Sequence, residues 1–458
     1  MFINQEYINS LLKEAKHAGK EEIQKVLEKA RKGKGLSHRD IAVLLEISDE
    51  EQSREMFNIA GNIKKSIYGN RIVVFAPLYI SNYCVNNCTY CGYKRTNKIA
   101  RRRLSRDEIR EEVRILEKMG HKRLALEAGE DPVNCDIDYV LDSIAAVYDT
   151  HEENGVIRRV NVNIAATTVD NYRKLKAAGI GTYILFQETY HSPTYDKVHP
   201  NSIKHDFEYH LTAFDRAMEA GIDDVGGGVL FGLADPKFEV LALMIHNEHL
   251  EEKFGVGFHT ISVPRLKKAE GMDLSEFPYL VDDETFKKIV AVIRIAVPFT
   301  GIILSTRESH ELRREVINYG ISQISAGSCT GVGGYREHEE GKIVQQFDIA
   351  DQRSPLEVLK ELIDDKHIPS YCTACYRMGR TGDRFMSLAR TGQIQNVCLP
   401  NALMTLMEYI MDYGDEELYI KGEKLIFAEA NGIQREDIKN LLLNNLQRIK
   451  GGERDLYL

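Results

Sequence analysis

Eight short β-branched runs, each followed by an amphipathic helical stretch, constrain the fold of this 458-residue chain more than any other feature. The runs begin at Arg71, Arg123, Val160, Thr182, Asp224, His259, Gly301 and Ile321. This alternation is typical of a parallel sheet whose strands are joined by crossover helices. Because eight strand-helix units can close a barrel, we predict an α/β fold built on a (β/α)8 TIM-type barrel. An open doubly wound sheet is the alternative.

The segments on either side of the alternating region have helical patterns. Residues 1–68 carry apolar residues at helical spacing, with Ser37 and Ser48 in position to cap two helices. After about residue 340 the alternation ends and amphipathic helical stretches follow. We therefore predict a helical N-terminal extension (1–68), the barrel (69–340) and a helical C-terminal domain (341–458).

Composition and charge limit the partners of the chain. Sixty Lys and Arg against 69 Asp and Glu give a formal net charge of -9, so we expect no cationic face for nucleic acid or anionic lipid. The longest apolar run, residues 72–80, contains Pro77 and is too short to span a bilayer. The charged N-terminus is unlike a secretory signal. We expect a cytoplasmic protein with small ligands and no membrane or nucleic-acid partner.

Cys84, Cys88 and Cys91 form a C-x3-C-x2-C motif directly after the first predicted strand. Three thiolates on one short loop can hold three irons of a 4Fe-4S cluster and leave the fourth iron open. Zinc is the alternative, although structural zinc usually takes four protein ligands. With Tyr90 before the third cysteine, the motif resembles the signature of the radical S-adenosylmethionine (SAM) enzymes.

The resemblance implies a mechanism and a cofactor site. In that family the open iron binds the amino and carboxylate groups of SAM, and one electron from the cluster cleaves SAM to a 5′-deoxyadenosyl radical. Gly129 and Glu130 resemble the family's Gly-Glu element, which positions the methionine amino group. Gln187 and Glu188 resemble a motif of the tyrosine-lyase branch, and Arg216 resembles the cation that binds the cofactor carboxylate.

Ser305 and Arg307 follow the seventh predicted strand. A guanidinium group at a barrel mouth can bind an α-carboxylate in bidentate geometry, and this motif resembles the amino-acid anchor of tyrosine lyases. The resemblance therefore implies L-tyrosine as the substrate, with Ser305, Arg307 and Glu188 as catalytic candidates.

Cys372, Cys375 and Cys398 form a second group in the C-terminal segment. A C-x2-C pair alone could be a zinc knuckle or a redox dithiol, but the third cysteine favours a second 4Fe-4S cluster, again with an open iron. The spacing of this cysteine group resembles that in maturases of the iron-only hydrogenase. The related thiazole-pathway lyase lacks the group. In those maturases an extra iron, bound through free L-cysteine, takes a histidine ligand. His249 and His259 are the candidates.

The resemblance implies cleavage of the tyrosine Cα–Cβ bond to p-cresol and dehydroglycine, which becomes carbon monoxide and cyanide for the hydrogenase active site. A hydrogenase maturation scaffold protein and an electron donor are the implied protein partners. One alternative is a lyase that stops at dehydroglycine (2-iminoacetate) for thiazole and thiamin biosynthesis. Another is a non-catalytic iron-sulfur scaffold or electron carrier.

Chain polarity adds a geometric prediction. The first triplet follows a strand and must lie at the top of a parallel barrel, whereas the candidate histidines precede the sixth predicted strand. If either histidine binds the extra iron, the C-terminal domain covers the bottom of the barrel, on the order of 20 to 25 Å from the first cluster. Gly226, Gly227 and Gly228 in the fifth predicted strand favour an interior with room for a passage.

Overall fold

The computed structural model describes residues 2–339 and 346–458. The eight predicted strands form one closed parallel barrel, in which each strand pairs with the next and the last pairs with the first. The (β/α)8 fold is confirmed, and the open-sheet alternative is wrong. The predicted domain boundary between residues 340 and 341 lies outside the described residues.

The strands are β1 (Arg71–Ser81), β2 (Arg123–Ala128), β3 (His151–Glu152), β4 (Gly155–Val156), β5 (Arg159–Asn163), β6 (Tyr183–Ile184), β7 (Val225–Gly228), β8 (Thr260–Ser262), β9 (Gly301–Leu304), β10 (Gln323–Ser325) and β11 (Ile368–Ser370).

Helices precede, surround and follow the barrel. Helices α1 to α4 pack partly on the barrel helices α11 and α12, and helices α18 to α20 pack together behind β11. The bounds are α1 (Gln5–Ala15), α2 (Lys20–Ala30), α3 (His38–Leu45), α4 (Glu50–Tyr68), α5 (Arg106–Lys118), α6 (Ile137–Tyr148), α7 (Val169–Ala177), α8 (Ser192–Val198), α9 (Phe207–Leu211), α10 (Ala213–Glu219), α11 (Pro236–Phe254), α12 (Asp283–Ala296), α13 (His310–Val316), α14 (Gly334–Glu339), α15 (Pro355–Asp364), α16 (Ala374–Arg377), α17 (Gly382–Arg390), α18 (Ile394–Asp412), α19 (Glu416–Asn431) and α20 (Glu436–Lys450).

The N-terminal caps of α3 and α4 test the predicted helix starts. Ser37 caps α3 by accepting a hydrogen bond from the Asp40 backbone N–H, as predicted. The cap of α4 is Asp49 and not Ser48. Its carboxylate accepts from two backbone N–H groups of the first turn, and its negative charge suits the positive end of the helix dipole.

Strand β11 brings the C-terminal segment under the barrel. It pairs in parallel with the start of β1, with Ile368 opposite Arg71 and Ser370 opposite Val73. Val73 also pairs with Gln323 of β10, so β11 occupies the other edge of β1, below β2. The sequence analysis expected only helices here, because a strand of three residues is too short to show a period-two pattern. This pairing places the loop after β11 beneath the barrel floor.

The barrel runs from a charged floor to an open mouth. Arg71, Arg123 and Arg159 begin three neighbouring strands and are buried at the floor. The C-terminal ends of the strands carry the loops at the mouth, where barrel enzymes place their reactive groups. Within the described residues, none of the helices has the length and apolar character needed to cross a membrane.

Candidate active site and second cysteine cavity

The first three cysteines lie together at the barrel mouth, on the loop that follows β1. Cys84, Cys88 and Cys91 line one cavity of about 260 Å³, here called the mouth cavity. A hydrogen bond from the Cys91 backbone N–H to the Cys88 carbonyl (3.2 Å) tightens the loop. Because all three side chains line one space, they can serve as ligands to one group.

The loop after β2 packs directly on the cysteine loop. A Cβ at Gly129 would lie only 2.3 Å from the Tyr83 carbonyl oxygen and 3.2 Å from the Cβ of Cys84. Glycine is therefore required by the close approach. The Val85 N–H donates to the Glu130 carbonyl (2.8 Å) and joins the two loops. Gly129 and Glu130 thus line the mouth cavity beside the triplet.

An ion pair between the buried Glu188 and the half-buried Lys204 lines the same cavity, with 2.5 Å between Nζ and Oε1. Glu188 has a φ of +67°, a conformation that is uncommon outside glycine. Burial opposes the charge of Lys204, but the neighbouring Glu188 carboxylate raises the pKa of Lys204 above its ordinary value. This permanent cation beside the cysteines was missed by the sequence analysis, because an isolated lysine in a loop has no distinguishing pattern.

Two of the predicted cofactor-binding residues lie outside the mouth cavity. Arg216 donates to the carbonyls of Thr167 (2.9 Å) and Tyr209 (2.7 Å), and its guanidinium carbon is 3.9 Å from the centroid of the Tyr209 ring. The Gln187 backbone N–H pairs with the Gly228 carbonyl (2.9 Å), and its side chain is buried. The structure does not bring Arg216 into this cavity, which is lined instead by the cationic side chains of Lys204, Lys267 and Arg307.

Arg307 and Ser305 line the mouth cavity at the end of β9. The guanidinium carbon of Arg307 lies 3.4 Å from the centroid of the Phe347 ring. Among residues 2–339 and 346–458, no acceptor receives a hydrogen bond from this guanidinium group. Its N–H groups can therefore bind a carboxylate in the cavity.

Glu127 is a second acid of the mouth cavity, and the predicted site residues did not include it. Its Oε2 accepts a hydrogen bond from Asn163 Nδ2 (2.7 Å). Burial raises the pKa of Glu127 to about 8, although Arg307 and Asn163 oppose the shift. The carboxyl group is therefore mostly neutral at pH 7. Strand alternation could have found it, because Glu127 lies two residues after the inward-facing Ala125.

The second three cysteines lie at the opposite end of the barrel. Cys372, Cys375 and Cys398 line a cavity of about 80 Å³, here called the floor cavity. Cys372 and Cys375 follow β11, and Cys398 comes from α18. Arg123 donates to the Cys372 carbonyl (3.4 Å) across the floor. This placement at the bottom is the arrangement that chain polarity predicted.

The floor cavity holds buried nitrogen atoms without a hydrogen-bond partner among the described residues. Two are guanidinium donors, Arg71 Nη2 and Arg123 Nε, and the third is His259 Nδ1, which can donate or accept according to its tautomer. A hydrogen bond from the Cys375 thiol and the charges of Arg71 and Arg380 lower the pKa of Cys398, against the effect of burial. Buried polar groups of this kind need a partner, and an anionic iron-sulfur cluster would supply one. The residues therefore fit such a cluster.

The two candidate histidines lie in different places. His259 lines the floor cavity, with its Nε2 3.9 Å from Asp224 Oδ2. His249 lies outside the cavity on α11, where its Nε2 is 2.9 Å from Asp215 Oδ1 and its ring stacks on Phe2 at 3.8 Å. The structure brings only His259 of these two to the second triplet.

Comparison with known proteins identifies the family to which this chain belongs. Residues 78–246 match the Radical SAM superfamily, and residues 262–367 match the Biotin and Thiamin Synthesis associated domain. The 2-iminoacetate synthase of Salmonella typhimurium strain LT2 is 31% identical over 340 residues, which are 73% of this chain and 87% of that protein. A crystal structure of HydG, a maturase of the FeFe-hydrogenase, is 60% identical with a TM-score of 0.97 and covers 100% of both chains. HydG from Carboxydothermus hydrogenoformans is 41% identical with a TM-score of 0.85, over 96% of this chain and 97% of that one.

The chain belongs to the radical SAM enzymes of the HydG family. The predicted family and the prediction of an enzyme are therefore confirmed. Radical SAM enzymes use a 4Fe-4S cluster and SAM, and the mouth cavity fits them. It has three thiols on one loop, a glycine where the next loop packs against that loop, and an ion pair of Glu188 and Lys204 in the same cavity.

Proposed function

We propose that this enzyme cleaves the Cα–Cβ bond of L-tyrosine to p-cresol and dehydroglycine. It then converts dehydroglycine to carbon monoxide and cyanide for the active-site cluster of an iron-only hydrogenase. The observation that carries this proposal is the pair of cysteine cavities at opposite ends of one barrel. The names of the relatives support it, because one is a maturase of the FeFe-hydrogenase and another makes 2-iminoacetate.

In the mouth cavity, Cys84, Cys88 and Cys91 hold the first 4Fe-4S cluster. When bound, this cluster and SAM supply the 5′-deoxyadenosyl radical that removes a hydrogen atom from the substrate. Gly129 and Glu130 present backbone groups beside the cysteines, where the amino group of SAM binds. The Glu188–Lys204 pair supplies a carboxylate and an ammonium group for the polar ends of the cofactor.

Arg307 anchors the substrate. Its free N–H groups bind the tyrosine carboxylate, and the Ser305 hydroxyl lies two residues away in the same cavity. Glu127 and Asn163 face this space as a hydrogen-bonded pair (2.7 Å). Because Glu127 is neutral near pH 7, it does not pair with Arg307 and leaves the guanidinium group to the substrate.

In the floor cavity, Cys372, Cys375 and Cys398 hold a second 4Fe-4S cluster. His259 lines the same cavity and would supply the histidine ligand to an extra iron bound through free L-cysteine. The unpartnered N–H groups of Arg71 and Arg123 offset the negative charge of the cluster and its thiolates.

A small intermediate travels between the cavities. On β1, Val73 lines the floor cavity and Phe75 the mouth cavity, and on β10 Gln323 and Ser325 do the same. Neighbouring inward positions of a strand are two residues apart, so about one layer of side chains separates the cavities. Gly226 contributes no side chain to that layer, but the side chains of Thr182, Ile184 and Thr260 fill the space beside it, 2.7 to 3.3 Å from where a Cβ would lie. The thinness of the layer supports passage of a molecule as small as dehydroglycine, and passage requires these side chains to move.

The remaining parts of the proposal concern partners and compartment. Free cysteine and iron supply the extra metal site, an electron donor reduces the first cluster, and a hydrogenase maturation scaffold protein receives the product. All eight cysteines are unpaired in the structure, as thiols are in the reducing cytoplasm, where we expect the enzyme to act.

A 2-iminoacetate synthase that stops at dehydroglycine is the second candidate, favoured by the curated relatives that carry this name. One experiment separates the candidates: anaerobic reconstitution with iron and sulfide, then incubation with SAM, reductant, cysteine and tyrosine. We expect p-cresol, carbon monoxide and cyanide. p-Cresol without carbon monoxide would support the second candidate, and loaded clusters with no product would support a non-catalytic scaffold.

A further inference from the structure

A short segment of residues 346–351, here called the mouth segment, crosses the barrel mouth. The Gln346 N–H donates to the Thr330 carbonyl (2.8 Å), and the Ala350 N–H donates to the Thr306 carbonyl (3.0 Å). The segment is thus hydrogen-bonded to two different loops of the barrel. One of these attachments is at the residue directly before the substrate anchor.

A buried ion-pair network fixes the far end of the mouth segment. Asp351 is 2% exposed and pairs with Arg313 and with Arg353 (2.7 Å). The near end packs against the first cysteine loop, because the Gln346 amide nitrogen lies 3.7 Å from the Cys91 sulfur. A Cβ at Gly92 would lie 2.5 Å from the Gln346 carbonyl oxygen. The segment therefore lies between the triplet and the anchor.

Within the mouth segment, Phe347 covers the face of the Arg307 guanidinium group at 3.4 Å. An arginine side chain has about 2 kcal/mol of rotamer entropy to lose when it is fixed. Most buried guanidinium groups are fixed by hydrogen bonds, but that of Arg307 has no acceptor among the described residues. The ring contact is therefore the interaction that sets its orientation.

Without this contact, the buried acids around the mouth cavity would attract the guanidinium group. Glu188 and Glu308, which form ion pairs with Lys204 and Arg265, also interact electrostatically with Arg307. A new ion pair with either of them would occupy the N–H groups that a substrate carboxylate needs. A ring over the guanidinium face attracts the cation without using its N–H groups.

We propose that Phe347 is a positioning residue, which holds the guanidinium plane of Arg307 so that its N–H edge meets the carboxylate of the amino-acid substrate. This inference rests on the proposed function, in which Arg307 binds that carboxylate. It adds a residue from the mouth segment to a site otherwise built from the ends of barrel strands.

The test compares three variants of cluster-loaded enzyme with SAM present. Phe347→Leu removes the ring and keeps apolar bulk, Phe347→Tyr keeps the ring, and Asp348→Ala changes the exposed neighbouring side chain. We expect Phe347→Leu to raise the KM for L-tyrosine about tenfold, as loss of a buried cation–π contact predicts, with kcat within about twofold. Phe347→Tyr and Asp348→Ala should stay within about twofold of the parent enzyme in both constants.

Tyramine distinguishes positioning from packing, because it lacks the carboxylate. Its affinity, measured by calorimetry on the loaded enzyme with SAM, should be equal in the parent and in Phe347→Leu. Equal loss of tyramine and tyrosine affinity would overturn the proposal and indicate a packing role, as would an unchanged KM for tyrosine in Phe347→Leu. The same calorimetry still tests Phe347 if the parent enzyme releases no p-cresol, a result that would reject the proposed function alone.

Discussion

The mouth and floor cavities carry the same number of cysteines, but the chain builds them differently. At the mouth, Cys84, Cys88 and Cys91 come from one loop after one strand. At the floor, two cysteines follow β11 and the third comes from α18. The mouth triplet is therefore set by local sequence, whereas the floor triplet forms only when the C-terminal helices pack under the barrel.

The charges around the two triplets differ as well. Burial raises the pKa of Cys91 to about 11, and the nearest cation at the mouth, Lys204, is already paired with Glu188. At the floor, burial likewise raises the pKa of Cys372, whereas the Cys375 hydrogen bond and the charges of Arg71 and Arg380 lower the pKa of Cys398. The floor thus differs from the mouth in having arginine side chains that favour negative charge on one of its cysteines.

The largest expected effect comes from removing the mouth triplet. Replacing Cys84, Cys88 and Cys91 by alanine should remove about four irons per chain, the content of one 4Fe-4S cluster, and abolish SAM cleavage. Iron analysis and 5′-deoxyadenosine measurement check this. SAM cleavage that persists in this variant would contradict the assignment of the mouth cavity.

The floor triplet should affect only the second half of the reaction. In the double variant Cys372→Ala and Cys375→Ala, p-cresol formation should persist while carbon monoxide is lost, because the first step needs only the mouth cavity. Gas analysis and chromatography of one reaction mixture measure both products. If carbon monoxide is undiminished, the two cavities do not divide the chemistry in this way.

A smaller effect tests the connection between the cavities. A Cβ at Gly226 would point inward, 3.3 Å from Ile184 and 2.7 Å from the Thr260 hydroxyl. A Cβ at Gly227 would point outward, 2.7 Å from the Phe258 ring. We expect Gly226→Ala to lower carbon monoxide yield several-fold relative to p-cresol. Gly227→Ala serves as the matched control with unchanged product ratio, and an equal ratio in both variants would speak against passage through this layer.

The comparison also shows what sequence can predict. The barrel and both triplets were predictable, because strand-helix alternation and cysteine spacing are local signals. Lys204 was not predictable as a site residue, because its role depends on a contact with Glu188 that no sequence pattern indicates. Arg216 was predicted from its resemblance to a family motif, and the contacts with Thr167 and Tyr209 that hold its side chain outside the mouth cavity depend on the fold. His249 and His259 could be separated only by their three-dimensional surroundings.

The smallest expected effect compares two capping boxes. Ser105 and Glu108 cap α5, which follows the first cysteine loop, and Ser354 and Glu357 cap α15, which follows the mouth segment. Burial opposes ionisation of Glu108, but hydrogen bonds from Ser105 and Arg102 lower the pKa of Glu108 to about 2. Among the residues that the structure describes, Glu357 accepts hydrogen bonds only from the Ser354 hydroxyl and backbone N–H.

We expect Glu108→Ala to lower the free energy of unfolding by about 1 kcal/mol at pH 7 and Glu357→Ala by less, within the range for capping interactions. The pKa of Glu108 is lower in the folded state than its ordinary value of 4.5, so its stabilising effect is fully present above pH 4.5 and is lost as the pH falls toward 2. Urea unfolding of parent and variants at pH 7 and pH 3 measures this. A Glu108→Ala effect that stays constant across this range would show that the helix is stabilised there by something other than the ionised cap.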